Sequence, residues 1–577
     1  MVIEPFRETG IAIQTPAVAP SMRFHWLLVR ADSSGAPLEG AEPVVNRVGG
    51  SFVTVTLTEP GEKYALLVRE VGLDGSVLTG RERGGRTTIS CKYVRRELRD
   101  LTQEDRSRFF SAMREFYTVT REDGRAKYGE RFHGAKYLAA YHAAKEYCYN
   151  NGMQFLNAHA AFGLWAEQNL QMIDPKVSLP QWDFMVDAGQ LGTNWGASEI
   201  FGPDMFGSAL GSPDNQFQIS DGWFANITSI HDPLGEFLRP GEDVSPSHNA
   251  YGFIDAERNY QAVQGVLRTS SFCGLEGEAE FTRCDVFIEC FQSGSLHEWS
   301  KCMETEVHAS MSSLIGGGFD CSVDMDFFME ESPQFTRGLL TFALEFLVAK
   351  SWQTGQVMED YRECDTHCNL GQTEPCGCTC LTDPFSWTDQ EVYDLMSSYM
   401  SMMTERSQGR KFVVKDEEAE YPFGFAQDGV RLDDESSLLL MRQLMMIACQ
   451  PGKVGAMGTR SSPLDPIFWV LYTGFEKANH VLRLSPGYRD TYDFMWEDSD
   501  CGDGVSGGKL TDSYPFTERM LGFGEGSELL TNADIQELLL PSNPKVPYLY
   551  EGFDKWGTCT EWDSCPECSA AVSSRPE

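Results

Sequence analysis

The sequence predicts a multidomain α+β chain, with a small N-terminal β-sandwich of fibronectin or immunoglobulin type followed by a mainly helical body. Three observations carry this. Between Phe24 and Ser90, apolar and β-branched runs such as SFVTVTL and KYALLVREV are punctuated by Gly, Pro, Asp and Ser at roughly the spacing of short strands. At CKYVRRELRDLTQEDRSRFFSAMREFY the pattern switches to helical spacing, with Leu98, Phe109, Phe110, Met113 and Phe116 recurring around a start signal of Thr102 and Glu104-Asp105. A chain of 577 residues that is 41% hydrophobic and 12% aromatic can bury one large core or several, which suggests about two to four domains.

Helices dominate from there to about residue 182, and residues 185 to 300 are Gly- and aromatic-rich, as expected of long loops over a helical core. A second helical, Cys-rich region follows. Its apolar segments GLLTFALEFLVAKSW, 338 to 352, and SSLLLMRQLMMIAC, 436 to 449, read as buried helices. Both are too short and too interrupted by charge to cross a bilayer, so no integral membrane segment is expected. The chain closes on CTEWDSCPECSAAVSSRPE, a polar tail with cysteines, and no internal repeat is visible.

The formal charge is −38, which argues against nucleic acid and anionic membranes as partners, because both require a basic face. Eight of the 17 cysteines cluster at Cys364, Cys368, Cys376, Cys378 and Cys380 and at Cys559, Cys565 and Cys568. That clustering fits disulfide-stapled loops in an extracellular or secretory lumenal compartment, and the odd total leaves at least one thiol unpaired. CDTHCNLGQTEPCGCTC does not have the paired two-residue spacing of zinc ribbons. Asn226-Ile227-Thr228 is a single glycosylation sequon. MVIEPFRETGIAIQTPAVAP has early acids and no long apolar run, so no secretory signal is visible in it.

The stretch FLNAHAAFGLWAEQNLQMIDPKVSLPQWDF places His159 inside an apolar helix with Glu167 two turns on. A histidine so placed is ordinarily a satisfied core residue. However, FLNAH and the PQWD of Pro180, Trp182 and Asp183 resemble elements of the first copper-binding half of tyrosinases, catechol oxidases and molluscan hemocyanins. METEVHASMSSLIGGG, with Glu304, His308, Ile315, Gly316 and Gly317, resembles the start of the second half. GAMGTRSSPLDPIFW, with Met457, Ser462, Pro463, Asp465, Pro466, Ile467, Phe468 and Trp469, resembles its end. The chain thus resembles the type 3 copper family over about half its length, in two anchors that occur in the family's order.

The resemblance implies a tyrosinase-like core built on a four-helix bundle. The corresponding boundaries are 1–92 for the β-sandwich, 93–317 and 455–500 for the two parts of the core, 318–454 for a helical Cys-rich insertion and 501–577 for the tail. It also implies two coppers, each held by three imidazoles, with copper as the cofactor if any metal is bound. Imidazole suits copper in both oxidation states. The matching positions hold His142, Asn150 and His159 for the first copper and His308, Ser312 and Tyr472 for the second. Three of the six imidazoles are therefore replaced, and an Asn amide or a Ser hydroxyl is a poor neutral copper donor. Cys148 stands where some family members link a Cys to a ligand His by a thioether, but the expected partner here is Asn150.

Two readings follow. In the first, the chain is a tyrosinase-domain homologue without its dicopper centre or a resident cofactor. His142, His159 and His308 persist in a buried polar network, and the fold serves a structural role or binds a protein partner or assembly. In the second, it is a metal-dependent oxidoreductase of phenols or catechols, with His142, His159, His308 and the phenol of Tyr472 around a remodelled mononuclear site. His133, His297, His367 and His480 could then supply replacement ligands. His480 is of most interest because it lies about two helical turns beyond Tyr472.

Overall fold

The computed structural model describes residues 1–14, 22–77, 83–143, 147–150, 152–215, 217–225, 227, 265–269, 271–275, 280–319, 321–344, 359–364, 378–404, 412–427, 429–450, 453–458, 462–501, 505–517, 520 and 529–552. Asn226 of the sequon, His367, Cys368, Cys376 and the three cysteines from Cys559 onward lie outside them, as do residues 345 to 352 of the first apolar segment.

Seven strands arise where the sequence alternates. They are β1 (Val2–Ile3), β2 (Thr9–Ala12), β3 (Arg23–Ala31), β4 (Val45–Gly49), β5 (Phe52–Val55), β6 (Lys63–Val71) and β7 (Gly84–Cys91). Five of them form a sheet in the order β1-β7-β6-β3-β4, and β2 pairs with β5. The β3–β6 ladder is antiparallel with Trp26 opposite Val68, which puts Phe24, Trp26 and Leu28 on one face with Tyr64 and Leu66. These residues pack with Ile11, Val53 and Val55 of the β2–β5 pair in one buried cluster, so the five-stranded sheet and the strand pair share a core.

The helical body is built around two helices buried on every side. Helix α1 (Gln103–Thr118) starts where the sequence predicts, with the Thr102 side chain accepting from the Asp105 amide. Helix α2 (Ala135–Ala143) leads through a loop to α3 (Gln154–Ile173), which is buried at every residue from Gln154 to Leu170. A π-helical turn at Met303–His308 runs into α4 (Ala309–Gly316). In the region after it, α5 (Asp389–Thr404) and α6 (Asp434–Cys449) pack beside a small three-stranded sheet. Helix α7 (Ile467–Leu484) is buried at every residue from Ile467 to Leu482. Helices apolar all round belong in the middle of a large core, and the polar residues embedded in them therefore need partners.

The same apolar cluster takes in Met396, Met400, Met441 and Met445 of α5 and α6, so the Cys-rich region packs onto the main core. The chain after residue 501 does so too. Strand β9 (Tyr548–Tyr550) pairs in parallel with β8 (Tyr93–Arg95), and Tyr548 and Tyr550 are buried. Four disulfides have both partners among the described residues: Cys148–Cys501, Cys273–Cys321, Cys290–Cys302 and Cys380–Cys449. Cys91 is a buried free thiol. No helix among the described residues is long and apolar enough to cross a membrane.

Candidate functional site

Four helical segments bring His142, His159, His308 and Tyr472 to one place. His142 ends α2, His159 lies in the second turn of α3, His308 closes the π-helical turn and Tyr472 lies in the second turn of α7. All four are buried, at 5% or 6% exposure. Phe155, Phe468 and Phe475 close around them, with Phe468 only 4.2 Å from the Tyr472 ring centroid.

The hydrogen bonds assign the protons. His159 Nδ1 lies 2.7 Å from the Phe155 carbonyl, one turn back in the same helix. Burial, then the neighbouring His142 and His308, push the His159 pKa well below its ordinary value, so the ring is neutral and carries one N–H. That N–H belongs on Nδ1, where a carbonyl accepts it, and Nε2 is left as an acceptor. His142 Nε2 sits 3.2 Å from His159 Nε2 and is therefore the donor of that bond.

Tyr472 fills the space on the other side. Its ring stacks on His159 with centroids 4.0 Å apart and planes inclined by 15°. Its hydroxyl lies 2.5 Å from His308 Nε2. Burial, then the carboxylate of Glu304, push the phenol pKa well above its ordinary value, so Tyr472 keeps its proton and donates it to His308. The lone pair on His159 Nε2 is thus taken by His142, that on His308 Nε2 by Tyr472, and His142 Nε2 carries a hydrogen.

These residues do not fit a coupled copper pair. Each copper needs three imidazole lone pairs, whereas here the three Nε2 atoms are engaged with one another or with the phenol. Ser312 lies four residues after His308, on the same helical face, and its buried hydroxyl has no hydrogen-bond partner among the described residues. The buried Asn150 Oδ1 also has none among them, and neither atom is a strong neutral copper donor. Among the described residues, no group of three or more His, Cys, Asp or Glu is arranged to hold a metal ion.

The other candidates lie elsewhere. His480 is on α7 but stacks near Tyr548 and Tyr550 in a second buried cluster, 3.7 Å from Glu476 Oε1. Glu167 belongs there as well. Arg95 is completely buried and bonds Glu167 Oε2 and Glu476 Oε2, each at 2.7 Å, with its guanidinium 3.4 Å from the Tyr548 ring centroid. Both tyrosine hydroxyls donate to Glu476. His133 packs on Tyr137, with Nδ1 2.8 Å from the Arg131 carbonyl. His297 is part-exposed and faces Glu497. Cys148 is bonded to Cys501. Sequence reasoning did not find Arg95, Glu476 or Glu304 as partners of these clusters. The Arg pair in YVRRE carries no local signal that Arg95 will be buried while Arg96 is not.

No family model matches the chain. Part of it is similar to grixazone synthase of Streptomyces griseus, with 29% identity over 144 residues, which is 24% of this chain and 44% of the synthase. The chain thus spans less than half the length of that relative.

Proposed function

We propose that this is a tyrosinase-like protein in which the dicopper centre has been replaced by a closed hydrogen-bonded core, and that the fold serves a structural or protein-binding role. The motif resemblance and the partial similarity to grixazone synthase support the tyrosinase-like relationship. In that reading, the four helices carrying His142, His159, His308 and Tyr472 correspond to the family's bundle, and the N-terminal sheets to an added β-sandwich. The four disulfides fit an oxidising, extracellular or secretory setting.

The observation that carries the proposal is Tyr472. A phenol stacked on one histidine and bonded to another occupies the space and the lone pair that a metal would need.

A second reading has one specific support. The facing Nε2 atoms of His142 and His159, 3.2 Å apart, are close enough to bind one ion if His142 gives up its Nε2 hydrogen. That would make the chain a mononuclear, metal-dependent oxidoreductase, with His308 and Tyr472 beside the metal.

Elemental analysis of the copper-loaded and desalted protein, run beside a catechol oxidation assay, separates the two. The expected result is no stoichiometric copper and no turnover. One bound metal with turnover would establish the second reading, and two coppers would overturn the first outright.

A further inference from the structure

The Tyr472 hydroxyl differs from other buried tyrosine hydroxyls in what accepts its hydrogen bond. Tyr117 donates to the Pro463 carbonyl at 2.6 Å, and Tyr514 donates to the side-chain oxygen of Asn532. Neither acceptor takes up a proton near neutral pH. Tyr548 and Tyr550 donate to Glu476, whose carboxylate is already paired with Arg95. Tyr472 donates instead to His308 Nε2, 2.5 Å away, and imidazole is the side chain that changes its protonation closest to neutrality. The acceptor is therefore a base as well as a hydrogen-bond partner.

The pair lies where α3, α7 and the π-helical turn leading into α4 meet, all three described without a gap. The Tyr472 ring stacks on His159, and Phe155, Phe468 and Phe475, each at most 2% exposed, stand 6.1, 4.2 and 5.9 Å from it. This wall keeps other molecules from touching the phenol. The π-helical turn Met303–His308 is a rare element that frequently marks a functional site. It also carries Glu304, a buried carboxylate whose charge reaches the Tyr472 phenol and favours a positive charge beside it. Ring contact continues from Phe468 to Trp469 at 5.0 Å, and the Trp469 indole donates to the Tyr117 hydroxyl at 2.8 Å. Oxidisable rings thus adjoin Tyr472 along α7 and across to α1.

We infer that Tyr472 and His308 form a one-electron redox centre, in which Tyr472 gives an electron to an outer-sphere oxidant while its hydroxyl proton passes to His308 Nε2. The O–H bond of Tyr472 breaks and an N–H bond forms on His308. The products are a neutral tyrosyl radical, an imidazolium and the oxidant reduced by one electron. Moving the proton with the electron avoids a phenol radical cation, and the imidazolium that remains has the Glu304 carboxylate near it. A one-electron reductant reverses the step, and the proton returns to the phenol. Because the ring is walled in, the co-reactant is a one-electron oxidant acting from outside the cluster. This goes beyond the proposed function, since it assigns chemistry to side chains alone.

The test is electron paramagnetic resonance of the full chain, stripped of metal with a chelator and oxidised by photogenerated tris(bipyridine)ruthenium(III). It compares the parent with Tyr472→Phe, His308→Gln and a Tyr514→Phe control. The expected parent signal is a tyrosyl radical that decays at least about tenfold more slowly than the tyrosyl signal left in Tyr472→Phe. His308→Gln should lose the slow component too, because an amide oxygen accepts the hydrogen bond but not the proton, and the control should keep it. If the variants do not fold, parent protein grown with isotope-labelled histidine carries the test, and the slow radical should show hyperfine coupling to a histidine nitrogen. A slow signal that survives Tyr472→Phe or His308→Gln would overturn the inference, as would a slow signal without that coupling. Copper uptake in the elemental analysis would overturn the proposed function without touching this result, which is read on metal-free protein.

Discussion

The hydroxyl of Tyr472 lies 2.5 Å from Nε2 of His308, while its ring stacks on His159. A phenol held above its ordinary pKa by burial donates a hydrogen bond and keeps its proton, and a neutral imidazole accepts that bond without either group becoming charged in the core.

Tyr472→Phe keeps the ring on His159 and removes only the bond to His308. The expected cost is about 1–3 kcal/mol, because a buried acceptor is left unpaired. Tyr472→Ala also loses the stacked ring and leaves a cavity, at about 3–5 kcal/mol. Urea denaturation of the two variants measures both, and equal midpoints for them would show that the ring contributes nothing.

On the proposed tyrosinase-like reading, Tyr472→His puts back one of the three imidazoles that the resemblance leads one to expect. Catechol oxidation should stay at background after copper loading, because on that reading Asn150 and Ser312 still stand where two further imidazoles would be needed. Turnover from that single change would mean the site is nearly intact.

Arg95→Met leaves Glu167 and Glu476 facing each other without a cation in a site where both are buried. The expected loss is about 3–5 kcal/mol, together with faster amide exchange at Tyr548–Tyr550, whose strand pairs beside Arg95. A change below about 1 kcal/mol would show that the tyrosines and backbone pairing hold the junction without the charge.

Asp465→Asn tests the corner that starts α7. Asp465 takes two bonds from the fully buried Arg268, at 2.5 and 2.7 Å, and Arg268 also holds the carbonyls of Phe206 and Gly207. Removing the carboxylate strands a buried guanidinium, at about 3–5 kcal/mol. An Arg268→Met, Asp465→Leu pair should recover much of that loss in thermal denaturation, and no recovery would mean the carbonyl contacts dominate.

Stability should fall as pH drops below about 6.5. Burial, then the charge of Arg95, push His480 down to about 3, and His159 is likewise held well below its ordinary value. The unfolded chain takes up protons at both that the folded chain refuses. Stability present at neutral pH is therefore lost going down, by at most about 1.4 kcal/mol per unit for each group. Glu97 opposes this. Burial pushes it up to about 7 from 4.5, so its contribution is present below 4.5 and is lost as pH rises through 7. Two histidines against one carboxyl give a net decline between pH 6.5 and 4.5. His480→Gln should make that decline shallower in urea titrations, and an unchanged slope would remove His480 from the account.

Several elements were legible in the sequence because their signals are local. The alternation in SFVTVTL and KYALLVREV became β5 and β6, the Thr102 start became the cap of α1, and the run 436–449 became most of α6. The grouping of His142, His159, His308 and Tyr472 was legible only through the resemblance to the type 3 copper motifs, since no two of them are close enough in the chain to share a helix face. His480 shows the limit of that approach. Two turns of α7 separate it from Tyr472, and a helix buried on all sides offers each turn a different set of neighbours.

The sequence by itself determined that His142, Asn150, His159, His308, Ser312 and Tyr472 stand where motifs resembling the type 3 copper family would place ligands. It also determined that the chain is acidic, rich in cysteine and built from strands followed by helices. Only the tertiary structure decided how these residues meet. The Tyr472 ring had to meet His159 and its hydroxyl His308, and the His159 proton had to be fixed on Nδ1 by the Phe155 carbonyl before His142 could be assigned as a donor. It likewise decided that β9, from near the end of the chain, lies against β8 over a buried arginine. Hydrogen-bond direction and ion pairing depend on atoms brought within about 3 Å by packing between distant segments, and no local pattern in the chain encodes that distance.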